Sequence, residues 1–209
     1  MIAKVILLCL VASSLAEKCC VPDTWEGIQQ QSVGSIKNGI PTMSEETITI
    51  HYDLTKNVAA FDESVTANGY TVKVKVIMDF KAGTEYIISG NHCSKKVISH
   101  TSRTRCVPDN AKFEGSHFGG SGNNKVMFNS YSYQAANVTA HFSMTNPGCV
   151  PVSQIIYGST NGVQYFVSQN FYDITPGVKD PTVFNVPSIC DNAMFVKGPS
   201  STHVGILGQ

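Results

Sequence analysis

The stretch from Cys149 to Cys190 reads CVPVSQIIYGSTNGVQYFVSQNFYDITPGVKDPTVFNVPSIC. Two β-prone, aromatic-rich runs, Val152 to Tyr157 and Val163 to Tyr172, flank the turn Gly158-Ser-Thr-Asn-Gly162. Runs of this kind joined by a short connection containing Gly and Asn read as a β-hairpin. Beyond the hairpin, Pro176, Gly177, Pro181 and Pro187 deny regular structure, so the chain continues as an extended loop to Cys190. A loop of that length in a compact domain is either tied down or has work to do. A disulfide at Cys190 would tie it down.

The same two-residue period recurs along the chain. From Tyr70 to Phe80, the residues Tyr70, Val72, Val74, Val76, Met78 and Phe80 share one face. Thr71, Lys73, Lys75, Ile77 and Asp79 share the other, so the first set is expected to point inward. Thr84 to Ser89 follows after Ala82-Gly83 and completes a second hairpin. A further half-buried strand runs from Glu46 to Asp53, where Ile48, Ile50 and Tyr52 alternate with polar residues. Gly39-Ile-Pro41 and Ser44 are expected to separate it from a first polar strand. Pro108 to Asn124 reads as a Gly-rich loop with one short helical turn near Lys112. Its Gly119-Gly-Ser-Gly122 lacks the following Lys and Ser/Thr of a phosphate-cradling loop and reads as a flexible turn. No segment of the mature chain sustains a 3.6-residue apolar period. The expected fold is therefore all-β, a single domain built as a sandwich or half-open barrel of antiparallel sheets.

The first sixteen residues, MIAKVILLCLVASSLA, have an early Lys4, an apolar run from Val5 to Ala12 and small residues at Ser14 and Ala16. They read as a secretory signal peptide cleaved after Ala16, leaving residues 17–209 as one soluble domain and removing Cys9. Hydrophobic residues make up 42% of the chain and charged residues only 14%. That composition suits a compact β protein and excludes a charge-rich disordered one. Lysine plus arginine number 15 and aspartate plus glutamate 15, so no bulk charge points to nucleic acid. The one basic cluster (Lys95, Lys96, His100, Arg103, Arg105) has no interleaved aromatics and reads as a solvated strand and loop. Trp25, the only tryptophan, reads as a buried anchor rather than a ligand platform.

Six cysteines remain in the mature chain: Cys19, Cys20, Cys93, Cys106, Cys149 and Cys190. An even count in a secreted chain implies bridges, and spacing alone leaves the connectivity open. Asn137-Val-Thr139 is an N-glycosylation sequon, expected in a strand where Val138, Ala140, Phe142 and Met144 face inward and Asn137 faces solvent. No G-x-S-x-G elbow, H-E-x-x-H motif or C-x-x-C pair occurs, and the histidines are scattered. The expectation is a protein that is not an enzyme.

Three pieces of the opening stretch resemble the C-terminal block of the ependymin and ependymin-related family. They are Phe171-Tyr-Asp-Ile174, Gly177-Val-Lys-Asp-Pro-Thr-Val-Phe184 and Val186-Pro-Ser-Ile-Cys190. Cys19-Cys-Val-Pro-Asp-Thr-Trp-Glu-Gly27 resembles that family's N-terminal block, so the likeness covers essentially the whole mature chain. The resemblance implies bridges Cys19–Cys149 and Cys93–Cys190, which leave Cys20 and Cys106 to each other by subtraction. The third bridge of the family's vertebrate members finds no matching positions here. Tyr52-Asp53 matches a family pair, but Lys56-Asn57 stand where the family usually carries an arginine. A salt bridge made by that arginine elsewhere in the family would be missing here.

For the fold, the resemblance implies two curved, stacked antiparallel sheets with a deep apolar pocket open at one end. For function, it implies a hydrophobic ligand, a lipid above all, with Val72, Val74, Val76, Met78, Phe80 and Phe142 as pocket residues. It also implies a dimeric glycoprotein, secreted to the extracellular space or held in the lysosomal lumen, and an association with calcium. No EF-hand loop is present. Asp53, Asp62, Glu63, Asp173 and Asp180 lie near turns and could supply oxygens, but their spacing specifies no site. The alternative reading is an extracellular matrix or cell-adhesion protein without a small-molecule ligand. A lipid or glycan hydrolase ranks third, since no catalytic constellation appears.

Overall fold

The computed structural model describes residues 18–98, 105–160 and 162–197. The leader, His100, Arg103 and the tail from His203 lie outside them. The described strands are β1 (Thr24–Lys37), β2 (Ile40–Asp53), β3 (Val58–Ala67), β4 (Tyr70–Asp79), β5 (Thr84–Ser89) and β6 (His92–Val97), then β7 (Lys112–Ser121), β8 (Asn124–Ala135), β9 (Val138–Thr145), β10 (Pro151–Thr160) and β11 (Val163–Pro176). Two short 3₁₀ turns follow at Pro181–Phe184 and Ser188–Cys190.

All eleven strands join one continuous antiparallel sheet, in the order β6-β5-β4-β3-β2-β1-β11-β10-β9-β8-β7. The all-β expectation holds. What was expected as two sheets is one hydrogen-bonded ladder, because β1 pairs with both β2 and β11 and so joins the two halves. Local chemistry makes the hairpins. Asn38-Gly39 (φ 52° and 77°) and Asn68-Gly69 (φ 52° and 79°) take the positive dihedrals that a two-residue hairpin turn demands.

The apolar residues form two clusters on one face of the sheet, called here the inner face. One centres on Trp25, Ile48, Ile50, Phe61, Val76 and Met78. The other centres on Val21, Ala140, Phe142, Met144 and Ile156. The base of this face is closed by the N-terminal segment and the β6–β7 crossover. The Val21 N–H donates to the Arg105 carbonyl at 2.9 Å, and the Val107 N–H to the Cys19 carbonyl at 2.8 Å. Bridges Cys19–Cys149 and Cys20–Cys106 pin the same region, with Cα separations of 5.3 and 3.8 Å. Cys93–Cys190 (Cα separation 5.2 Å) ties the C-terminal segment to β6. These are the pairs implied by the resemblance and by subtraction.

Five local expectations change. The β10–β11 connection is shorter than Gly158 to Gly162, since Gly158, Ser159 and Thr160 pair with Tyr165, Gln164 and Val163. Pro108 to Asn124 is mostly strand, not loop: β7 pairs with β8, and a bulge after Phe113 is absorbed by Gly115 at φ 146°. Pairing overrides the glycine content there. Ser44 breaks nothing, since β2 begins at Ile40. Asn137 is exposed in the β8–β9 turn rather than within a strand, because Ala136 turns the chain with φ 46°. Ile77, expected on the polar face, is 1% exposed.

Candidate functional site: the inner face and its covered back

Strand β4 displays the gradient of the inner face. At its base Val76, Met78 and Phe80 are 1%, 2% and 4% exposed and belong to the first cluster. Val74 is half-buried against that cluster. Toward the far end, Val72 is 51% and Tyr70 78% exposed on the same face. Phe142 is buried in the second cluster, so the structure does not bring it together with the β4 residues. Of the six residues expected to line a pocket, Val76, Met78, Phe80 and Phe142 are packed core; Val72, with Val74 behind it, forms accessible wall. Val33, Val65 and Tyr165, all half-buried, share this face on neighbouring strands.

A polar row crosses the inner face at mid-height, and the sequence reading missed it. Gln154, Gln169, Gln31 and Glu46 stand directly opposite one another on β10, β11, β1 and β2. Gln31 is the hub. Its Oε1 accepts from Gln29 Nε2 at 2.7 Å and from Gln169 Nε2 at 2.8 Å, and its own Nε2 donates to Glu46. Glu46 also accepts from the Ser44 hydroxyl at 3.3 Å. Buried amides persist where such partners satisfy them. The available signal was Gln29 and Gln31 at the two-residue spacing of a half-buried strand.

The opposite, outer face is covered over β2 to β6 by the segment 177–196. The Gly177 N–H donates to the Thr24 carbonyl at 2.8 Å. The Lys179 N–H donates to Glu26 Oε2 at 3.2 Å, and its ammonium lies 3.2 Å from Oε1. His51 Nδ1 is 3.4 Å from the same carboxylate. Burial pushes the Glu26 carboxyl up, but the Lys179 contacts and the neighbouring His51 outweigh it and hold the group below its ordinary value. Further along, Lys95 exchanges backbone bonds with Met194 and Val196 (3.0 and 2.8 Å), which covers the β6 edge. Beneath this strap Ala60 and Ile77 are 0% and 1% exposed.

Three of the five carboxylates considered for calcium, Asp53, Asp62 and Asp180, are engaged separately. Asp53 accepts from the Thr55 hydroxyl at 2.5 Å and the Lys56 N–H at 3.1 Å, with the Lys56 ammonium 2.9 Å away. Burial raises its pKa, but these partners leave it depressed. Lys56 thus supplies a cation close to where the family's arginine was sought. Asp62 pairs with Lys75 at 3.3 Å, and Asp180 caps the turn at Thr182. No group of three or more His, Cys, Asp or Glu able to hold a metal occurs among the described residues.

The family model described as Ependymin matches residues 68–190. The chain belongs to the ependymin family. The ependymin match takes in β4 to β11 and ends at Cys190, the cysteine that anchors the strap to β6. Ependymin from Notemigonus crysoleucas is 27% identical over 208 residues, covering 92% of each chain. Mammalian ependymin-related protein 1 from Rattus norvegicus is 26% identical over 186 residues, covering 85% of this chain and 78% of its own. Among solved structures, an uncharacterized conserved protein from Thermus thermophilus aligns with a TM-score of 0.46 and 8% identity, over 81% of this chain and 90% of its own.

Proposed function

We propose that this ependymin-family chain is a secreted glycoprotein that binds a hydrophobic ligand, an amphiphilic lipid, on its inner face. The observation that carries the reading is the β4 gradient, from Val76 at 1% exposure to Val72 at 51% on one apolar face. An apolar wall that continues out of the core and stays accessible is suited to receiving an apolar guest. Glu46, half-buried and in one row with Val65 and Val72, supports an amphiphile over a bare hydrocarbon, since its carboxylate can meet a polar head beside the tail. Three disulfides fit an oxidising compartment, and the exposed Asn137 is open to an N-glycan.

A fluorescent fatty-acid probe, titrated into the chain with its bridges intact, tests the reading. Val72→Asp should abolish most of the probe signal while leaving the melting temperature nearly unchanged, because its side chain is already half exposed. Val76→Trp should instead cost about 1–3 kcal/mol or more through overpacking. A wild-type chain that binds no apolar probe would remove the carrier reading. Glycosidase treatment should lower the apparent mass of the wild type and not of Asn137→Gln. A matrix-contact role draws separate support from the outer face, where Ile36, Met43 and Phe166 are 46%, 62% and 47% exposed.

A further inference from the structure

Strand β1 is used on both sides. Its inward residues Gln29 and Gln31 are buried and hydrogen-bonded, whereas Gln30, Ser32 and Gly34 face outward beyond the strap. The register lines them up with neighbours in three rows: Asn170–Gln30–Thr47, Ser168–Ser32–Glu45 and Phe166–Gly34–Met43. The first two rows line a polar groove of about 350 Å³. The third, with Ile36, lines an adjoining apolar groove of about 640 Å³.

The side chains of Gln30, Ser32, Glu45, Thr47, Ser168 and Asn170 have no hydrogen-bond partner among the described residues. Their donors and acceptors point out together from three adjacent strands. Gly34 is not forced by crowding, since a Cβ there would meet only the Phe166 carbonyl oxygen at 3.9 Å. Its bareness leaves the floor open between Phe166 and Met43.

The lining selects the occupant by chemistry. The polar groove is lined by hydroxyls, amides and carboxylates with no lysine or arginine, so a phosphate- or sulfate-bearing polymer would meet no counter-charge. A wholly apolar partner would strand the amides and hydroxyls without partners, at a desolvation cost. A neutral sugar ring presents hydroxyls at its edges and C–H groups on its faces, which matches hydroxyl and amide rows beside an exposed aromatic ring. Adjacent strands lie roughly 4.8 Å apart, so the rows across β11, β1 and β2 give room for a short glycan rather than a single small molecule.

We propose that the outer face of β11, β1 and β2 is a binding site for neutral oligosaccharides, with Gln30, Ser32, Glu45 and Asn170 bonding the hydroxyls and Phe166 stacking on a ring face. The site is separate from the inner face and stands or falls independently of lipid binding.

The test uses the disulfide-bonded chain carrying Asn137→Gln, so that its own glycan cannot fill the groove. Chitohexaose, cellohexaose and mannohexaose are titrated calorimetrically, with a heparin hexasaccharide as the polyanionic control. At least one neutral hexasaccharide should bind, and the heparin fragment should bind at least about tenfold more weakly. Asn170→Ala and Phe166→Ala should each weaken the neutral sugar by about tenfold or more, with melting temperature and fatty-acid titration unchanged. Three outcomes overturn the proposal. None of the neutral hexasaccharides binds at millimolar concentration; binding survives both substitutions; or Phe166→Ala turns a dimer into a monomer by light scattering, which assigns the face to a second copy of the chain.

Discussion

Ile77 and Met43 both point from the outer face of one sheet, yet Ile77 is 1% exposed and Met43 is 62% exposed. Each alternates with inward residues at the same two-residue period, Val76 and Met78 beside Ile77, Thr42 and Ser44 beside Met43. The difference lies in what crosses above. Ile77 stands in the row Glu26–His51–Ala60–Ile77, over which the segment 177–196 is held by the Glu26–Lys179 contact at one side and Cys93–Cys190 at the other. Met43 lies farther toward the hairpin tips, past the reach of the strap. Burial on this face is a property of the covering segment rather than of the strand.

The largest effect should come from removing the anchor. Cys93→Ser with Cys190→Ser opens a 97-residue loop, which the chain-entropy account values at about 4–5 kcal/mol. Urea unfolding would give the loss, and hydrogen exchange should show the amides of 177–196 deprotected. A double variant as stable as the wild type would mean that the strap is held by something other than the bridge. Next in size, Ile77→Ala should cost about 2–5 kcal/mol, the range for an aliphatic side chain truncated in a covered site. A loss below about 0.5 kcal/mol would place Ile77 with Met43 and undo the contrast.

Acid should loosen the strap at its other attachment. The Glu26 carboxyl is held below its ordinary value, so its contribution is present above the unfolded-state value near 4.5 and disappears as pH falls through the lower folded value. Melting temperatures of the wild type should therefore drop more steeply below about pH 4.5 than those of Glu26→Gln. Parallel curves would show that Glu26 does not hold the strap. The smallest effect is expected from Met43→Ala, which should shift stability by no more than about 0.5 kcal/mol because there is little burial to lose.

Strand type was legible wherever one face is buried and the other wet. Ile48, Ile50 and Tyr52 on β2, and Ala140, Phe142 and Met144 on β9, alternate in the sequence and are buried in the structure. Where both faces are covered, as at Ile77, the alternation misled, because the second cover comes from the segment 177–196, a hundred or more residues later. Where neither face is covered, as along much of β7, the glycines suggested a loop and pairing with β8 made a strand. The glutamine row was equally hidden. Glutamines in a strand look solvated until Gln31 from β1 is set beside Gln169 from β11, 138 residues away.

Left to itself, the sequence determined the all-β class, the hairpin that joins Val152–Tyr157 to Val163–Tyr172 and, through its family likeness and subtraction, the three bridges. These depend on local dihedral preference, on the two-residue side-chain period and on cysteine matching, all of which can be read along the chain. Tertiary structure alone decided that the strands form one sheet, that β4 runs from packed core at Val76 to open wall at Val72, and that the outer face divides into a strapped half and a bare half. Those outcomes depend on which distant segments lie on which surface. That is settled when the long-range contacts form, because burial is shared between surfaces and no strand carries it alone.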